Sequence, residues 1–212
     1  MNKNKQGFTL LETLTVVSVM AILMATALPA INSMSNSTGR QGAVNTLLNA
    51  FEQARIAALT NGVNAYVGFA DQSLSQLGTD FPYHAYIIFR DRVDSDPAGV
   101  QYVAVTKWMF LPKNISFKRD CTSLFQDGTA VLSIPSGNLP QLNSGASLPS
   151  IVYTPTGAIR TPSNPANLCL YLYEGVFANN RDTLMTKNST YFDRITFQRF
   201  TGRAEMDLAT LQ

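Results

Sequence analysis

The feature that most constrains the fold of this chain is a long apolar run near its N-terminus. No charged residue occurs from Thr13 to Ile31. At about 1.5 Å per residue, a helix of this length roughly matches the ~30 Å hydrocarbon core of a bilayer. Lys3 and Lys5 precede it without a balancing acid, which favours a cytoplasmic N-terminus. The sequence therefore predicts one membrane-spanning helix, with the rest of the chain on the extracytoplasmic side.

One carboxylate, that of Glu12, lies at the start of this apolar segment. A carboxylate within an apolar helix costs about 2.5 to 3.5 kcal/mol on insertion scales, so it rarely lies there without a partner. On the residues alone, Glu12 either reaches the membrane interface or has a partner within the apolar surroundings.

The stretch KQGFTLLE (residues 5–12) resembles the type III leader of type IV pilins and type II secretion pseudopilins. An ordinary secretory signal is cleaved after its apolar region, and no site there is better than the Gly7–Phe8 junction before it. The resemblance implies that prepilin peptidase cleaves after Gly7 and methylates the new amino terminus at Phe8. It also implies that Glu12 pairs with the Phe8 ammonium group of a neighbouring subunit. Pro29 matches a helix-kinking proline of many family members.

Length and composition indicate one anchored helix and one globular domain. The chain has 212 residues, with 45% hydrophobic and 14% charged residues. Its formal net charge of +2 equals the contribution of Lys3 and Lys5, so the mature chain is close to neutral. This near-neutral net charge argues against a nucleic-acid-binding protein, but it does not exclude a local basic patch.

The sequence after Pro29 predicts an amphipathic helix followed by strands. Residues 32–39 are polar, poor helix formers, and form either a flexible link or a weak section of a continuous helix. Beyond Gly42, apolar residues recur at spacings of three and four, until Asn61-Gly62 provides a stop. The apolar positions are Val44, Leu47, Leu48, Phe51, Ala54 and Ala58.

Short strand-like runs separated by turn residues begin at Asn64. The predicted strands are Ala65–Phe69, His84–Arg90, Val100–Trp108, Ile115–Lys118, Val131–Ile134, Ile151–Tyr153, Leu168–Tyr173, Arg194–Phe200 and Arg203–Asp207. We therefore expect an α+β fold in which a long N-terminal helix, transmembrane and then amphipathic, packs on an antiparallel β-sheet body. The expected segments are a leader (1–7), a transmembrane and assembly helix (8–31), an amphipathic helix (32–62) and a β-rich extracytoplasmic domain (63–212).

Three downstream segments, residues 51–62, 151–157 and 195–203, are similar to the helix end, a strand-turn motif and the closing hairpin of GspH/FimT-like minor pilins. This resemblance implies a minor pilin or pseudopilin near the filament tip or in initiation, in a type IV pilus or a type II secretion pseudopilus. The implied partners are prepilin peptidase, other pilins or pseudopilins, and the assembly machinery of the bacterial inner membrane. The body would be periplasmic before assembly and part of the filament afterwards.

The sequence contains no recognisable catalytic motif, and we expect neither an enzyme nor a bound cofactor or metal. His84 is the single histidine and fits a half-buried strand position. Asp91, Asp94 and Asp96 resemble a calcium loop, but Ala98 replaces an oxygen ligand and Val105 occupies the position of the bidentate Glu. A solvated hairpin turn fits them better.

Two further groups leave alternatives open. Cys121 and Cys169 lie in the part predicted to be extracytoplasmic, where they form a disulfide or remain two unpaired thiols. Arg194, Arg199 and Arg203 alternate with aromatic residues, as in proteins that follow a nucleic-acid backbone.

Some competence-type minor pilins bind DNA through a C-terminal arginine patch. The alternative function is therefore a DNA-binding minor pilin of a DNA-uptake filament. An ordinary half-exposed strand also accounts for the arginines. Alternation over Arg194–Phe200 would place Arg199 on the same strand face as Ile195 and Phe197.

Overall fold

In a computed structural model, the described residues are 10–78, 81–119, 123–126, 130–161, 168–179, 181–184 and 191–210. The chain divides into two units, Met1–Gly39 and Arg40–Gln212. We call the second unit the body. The fold is α+β, with a helix at the N-terminus and antiparallel sheets, as the sequence predicts.

Helix α1 spans Leu10–Asn61. The backbone remains helical through Pro29 and through residues 32–39, so the polar stretch is part of a continuous helix. The helix is not interrupted at Pro29, whereas the kink that the family resemblance implies there stays a prediction. Within the described residues, no helix combines the length and apolar character needed to cross a membrane.

In the body, one face of α1 is buried. The predicted apolar positions lie on this face, with Leu48 only partly buried, and small residues fill the spaces between them. The helix ends where Gly62 adopts a φ of 65° and its N–H donates to the carbonyl of Ala58 at 3.0 Å. A glycine with positive φ after the last helical residue is a common helix terminator, and this confirms the stop predicted at Asn61-Gly62. The buried residues are Ala43, Val44, Leu47, Ala50, Phe51, Ala54, Ala57 and Ala58.

Among the described residues, the strands form two antiparallel sheets of seven and five strands. The strands of the first sheet are β1 (Ala65–Phe69), β2 (Ala85–Asp91), β3 (Tyr102–Ala104), β4 (Met109–Phe110), β6 (Val131–Ile134), β7 (Ala146–Tyr153) and β8 (Ile159–Thr161). They have the order β3-β2-β1-β7-β6, with β4 paired to β2 and β8 to β7.

The strands of the second sheet are β5 (Ile115–Phe117), β9 (Cys169–Ala178), β10 (Arg181–Leu184), β11 (Tyr191–Phe197) and β12 (Ala204–Thr210). In this sheet β9 pairs with β5, β10 and β11, and β12 pairs with β11. Two short helices complete the described elements, a 3₁₀ helix over Gln72–Leu77 and α2 over Ser123–Gln126.

The main core lies where the body part of α1 meets both sheets. The Phe51 ring lies 6.3 Å from that of Phe69 on β1 and 4.8 Å, edge to face, from that of Phe197 on β11. One helix side chain thus contacts both sheets. Burying a side chain of this size is worth about 1.5 to 3 kcal/mol, so the contact helps to fix the helix between the sheets.

A second core covers the opposite face of the first sheet. Tyr66 on β1 stacks on Phe89 of β2, with ring centroids 4.9 Å apart, and Tyr102 packs edge to face on both. Leu139 and Leu142 from the loop after β6 close this core. Because both faces of the sheet are covered, all five residues of β1 are buried.

Several predicted boundaries were wrong. The run Val100–Trp108 forms a strand only over Tyr102–Ala104. The strand predicted over Arg194–Phe200 instead spans Tyr191–Phe197, since the chain turns where Gly202 N–H donates to the Gln198 carbonyl at 2.8 Å. Strands β4, β8 and β10 and helix α2 were not predicted, because each has at most four residues and a short run carries little periodic signal.

Candidate assembly segment and the surrounding site residues

The described side chains of Leu10–Met24, which we call the assembly segment, are exposed on every side of the helix. Ten large apolar residues among them expose between 50% and 83% of their surface. Consecutive positions such as Val16-Val17 and Val19-Met20 point in different directions, so the exposed apolar surface encircles the helix. A helix that is apolar all round requires burial in lipid or among other helices. The ten residues are Leu10, Leu11, Leu14, Val16, Val17, Val19, Met20, Ile22, Leu23 and Met24.

The hydroxyl groups of the assembly segment bond to the backbone of their own helix. Thr13 donates to the Leu10 carbonyl at 2.9 Å, and Ser18 donates to the Leu14 carbonyl at 2.8 Å. Thr15 is within 3.0 Å of the Leu11 carbonyl and 2.9 Å of the Glu12 carbonyl. These hydroxyls already have hydrogen-bond acceptors, so they add little cost when the segment leaves water.

Glu12 is exposed in the first turn of α1, and it is the only charged residue from Leu10 to Gly39. A carboxylate in the first turn gains about 0.3 to 1 kcal/mol from the helix dipole. That gain is smaller than the about 2.5 to 3.5 kcal/mol that a charge costs in an apolar medium. Burial of the segment with Glu12 ionised therefore requires a cation beside this carboxylate.

Four predicted site residues lie wholly or partly outside the described part of the structure. Gly7 and Phe8 lie outside the described residues, so cleavage and methylation there stay predictions. The backbone of Pro29 is helical, while its side chain lies outside the described part. Cys121 also lies outside it, so the disulfide with Cys169, a half-buried residue at the start of β9, stays a prediction.

The three C-terminal arginines lie on or near one hairpin, but they do not form a patch of free positive charge. Arg194 on β11 lies opposite Asp207 on β12, and its Nη2 donates to Asp207 Oδ2 at 2.7 Å. Hydrogen bonds to Tyr171 and Asp207 raise the pKa of Arg194. Arg199 and Arg203 lie in the connecting turn and are exposed. The expected place of Arg199 on one strand face with Ile195 and Phe197 was wrong, because β11 ends before it. This arrangement does not support the DNA-binding alternative.

Two of the three aspartates at the end of β2 and in the turn after it, Asp91 and Asp96, are engaged within the protein. Arg90 binds both oxygens of Asp96, at 2.6 and 3.0 Å, and the Val93 N–H donates to Asp96 at 2.9 Å. These bonds lower the pKa of Asp96 to about 2. Asp91 accepts from Asn64 and Tyr66. In the described parts of the chain, no group of three or more His, Cys, Asp or Glu side chains could hold a metal ion.

His84 precedes β2 and lies beside a surface groove of about 880 Å³ whose walls include Phe81, Phe110 and Lys113. Its Nδ1 lies 2.8 Å from the Ile115 carbonyl, which can only accept, so Nδ1 is the donor. The bond attaches the start of β2 to β5. This contact gives the histidine a structural role.

The ion pairs of the body were not predicted from the sequence, and that of Arg40 with Asp193 is one of them. Arg40 donates from Nε and Nη2 to the two carboxylate oxygens of Asp193 on β11, at 2.8 and 2.7 Å. Two signals were present in the sequence. Arg40 ends the charge-free stretch that follows Glu12, and Asp193 shares the inward register of Ile195 and Phe197. A carboxylate at an inward strand position indicates a buried partner.

Residues 2–28 match the prokaryotic N-terminal methylation motif. The match supports a type IV pilin-like protein. It covers most of the predicted leader and the assembly segment. A pilin-type motif points to a structural subunit that is processed by prepilin peptidase, anchored in a membrane and assembled with other pilins. No curated protein and no solved structure matches the chain.

Proposed function

We propose that the chain is a minor pilin or pseudopilin of the GspH/FimT-like kind, a structural subunit of a type IV pilus or type II secretion pseudopilus. We place it near the filament tip or in initiation. The observation that carries the proposal is the assembly segment, an all-round exposed apolar helix with one carboxylate, within the methylation-motif match. A globular body that remained in water would not require a helix that is apolar on every side.

In this proposal the subunit is first a single-pass protein of the bacterial inner membrane, with a cytoplasmic N-terminus and a periplasmic body. Prepilin peptidase cleaves between Gly7 and Phe8 and methylates Phe8. The assembly machinery then moves the helix from lipid to neighbouring helices. Both surroundings are apolar, so the exposed side chains gain little by the hydrophobic effect, and packing and polar pairing decide the transfer.

Glu12 supplies the polar pairing. Its carboxylate and the ammonium group of Phe8 in a neighbouring subunit would each be costly alone in an apolar bundle. As a pair with hydrogen bonds they remove the cost of an isolated charge. The hydroxyls of Thr13, Thr15 and Ser18 need no such partner, because they bond to their own helix.

The body supports the minor-pilin branch through the contacts between the three segments that resemble it. Gly202 in the closing turn lies against the carbonyl of Gly157 in the strand-turn segment. Gly157 in turn lies against Arg55 and Leu59 near the end of α1. The three similar segments, distant in sequence, are therefore neighbours in space.

The Glu12→Gln variant tests the pairing role in cells that assemble the filament. Gln keeps the size of the side chain but removes its charge. We expect normal amounts of the protein in the membrane fraction and at least a ~10-fold loss from sheared filaments, since an unpaired ammonium is left in the apolar bundle.

Thr15→Ala is the matched control, because it changes a polar residue of the same segment whose hydroxyl is bonded to its own backbone. This variant should enter filaments normally. Equal incorporation of Glu12→Gln and the parent protein would contradict the pairing role.

A further inference from the structure

The Arg40–Asp193 pair joins the first residue of the body to the second sheet. Arg40 is the first residue of the second unit, and its guanidinium group binds both carboxylate oxygens of Asp193, at 2.7 and 2.8 Å. The Asp193 side chain exposes 6% of its surface, whereas that of Arg40 exposes 26%. The pair is therefore asymmetric, with the carboxylate buried and the guanidinium partly solvated.

The burial of Asp193 follows from its position in β11. Asp193, Ile195 and Phe197 are buried, and Arg194 between them is only partly covered. Asp193 is thus an acid in an inward row otherwise made of apolar residues. A second acid, Glu174 on β9, contributes to the pKa of Arg40, which is raised mainly by the hydrogen bonds to Asp193. The positive charge of Arg40 therefore interacts with the negative charges of Asp193 and Glu174.

We propose that the Arg40–Asp193 pair is a latch that makes the N-terminal end of the body helix and the β11–β12 hairpin open and close together. If the helix turn at Arg40 leaves the sheet, Asp193 remains buried without its cation, which is strongly unfavourable. The carboxylate then has to reach water, and it does so only when β11 also separates from the core. The latch belongs to the body and does not depend on the proposed function.

Hydrogen exchange on the detergent-solubilised full chain tests the latch. The Arg40→Met variant keeps the length of the side chain and removes its charge. We expect about a hundredfold or greater loss of protection in peptides covering residues 40–48 and in peptides covering 191–197, by the same factor in both. Peptides of β1 and β2 should keep their protection.

The Asp193→Asn variant removes the other partner of the pair, the buried carboxylate. It leaves the partly solvated Arg40 to reach water, so we expect a smaller loss than in Arg40→Met, about tenfold, in the same two regions. The double variant Arg40→Met, Asp193→Leu replaces both partners with apolar groups and should restore most of the protection.

The matched control is Asp207→Asn, which removes the exposed ion pair of the neighbouring residue Arg194. Exposed pairs contribute little, so protection of residues 40–48 should not change. Loss confined to the helix peptides, or equal loss in every peptide of the body, would overturn the latch. So would a double variant no better protected than Arg40→Met. None of these outcomes concerns filament assembly, so the proposed function is tested separately.

Discussion

Gly202 and Gly62 provide a matched comparison of two glycine positions. Their φ angles are 68° and 65°, both in the left-handed region. A Cβ on Gly62 meets no atom within 4 Å, whereas one on Gly202 would collide with the carbonyl oxygen of Gly157 and lie 3.2 Å from the Tyr153 ring. Replacing each by Ala separates the cost of the backbone conformation from the cost of the contact.

The left-handed conformation costs an L-residue about 1 to 2 kcal/mol. The reduced freedom of the unfolded chain returns about 0.4 to 1 kcal/mol. Gly62→Ala should therefore lower the free energy of unfolding by about 1 kcal/mol. Gly202→Ala bears the same cost and must also displace a backbone carbonyl, for which the typical overpacking cost is about 1 to 3 kcal/mol. Its total loss should be about 2 to 4 kcal/mol.

The assay is denaturant unfolding of the full chain in detergent, followed by the fluorescence of Trp108, the single tryptophan, which is buried in the second core. The expected result is a clearly larger loss for Gly202→Ala than for Gly62→Ala. Losses that agree within about 0.5 kcal/mol would refute the packing of the closing turn against Gly157.

Two further predictions concern single groups of the body. The pKa of Asp96 is lowered from its ordinary 3.8 to about 2, so its ionised form stabilises the fold above about pH 4, and this contribution is lost as the pH falls towards about 2. The stability difference between the parent and Asp96→Asn, measured by denaturant midpoints, should shrink over that window; a constant difference would contradict the Arg90 pairing.

Burial raises the pKa of Tyr86 to about 12, and its hydroxyl has no hydrogen-bond partner among the described residues. Tyr86→Phe should leave the free energy of unfolding at neutral pH unchanged or raise it by up to about 1 kcal/mol. It should also reduce the loss of stability between about pH 10 and pH 12, where the unfolded tyrosine ionises first. A loss above about 1 kcal/mol at neutral pH would show that the hydroxyl has a partner.

The sequence was most informative where one physical signal dominated. The spacing of Val44, Leu47, Phe51 and Ala54 predicts the buried face of α1, since only a helix places such residues on one side. The end at Asn61 was equally predictable, because glycine supplies the positive φ that stops a helix. Strands β1 and β6 have the predicted bounds, as turn residues flank both.

Other features depend on partners far apart in the chain. Residues 71–150 contribute a second core, in which Leu139 and Leu142 cover the face of the sheet that carries Tyr66. With both faces covered, the strands lose the polar alternation by which one buried face is recognised. The pairing of Arg40 with Asp193, 153 residues away, likewise requires the folded arrangement.

The candidate site shows the same difference between features set by neighbouring residues and features set by distant partners. The charge-free run and Glu12, the single charged residue from Leu10 to Gly39, were visible in the sequence, because they belong to one contiguous stretch that the methylation motif also covers in part. The arginines were misjudged, since Arg194 turned out to be neutralised by Asp207 and Arg199 to lie in a turn. The error for Arg199 arose from extending β11 three residues too far, from Phe197 to Phe200, whereas the neutralisation of Arg194 depends on the cross-strand pairing with Asp207.

The most direct test of the proposal is the N-terminus of the mature protein. The full chain is extracted from membranes of cells with an active prepilin peptidase, and from matched cells without it, and both samples are analysed by mass spectrometry. We predict that residues 1–7 are absent and that Phe8 carries an N-methyl group only when the peptidase is active. Retention of residues 1–7 in both samples would contradict the proposal that this chain is a processed pilin-like subunit.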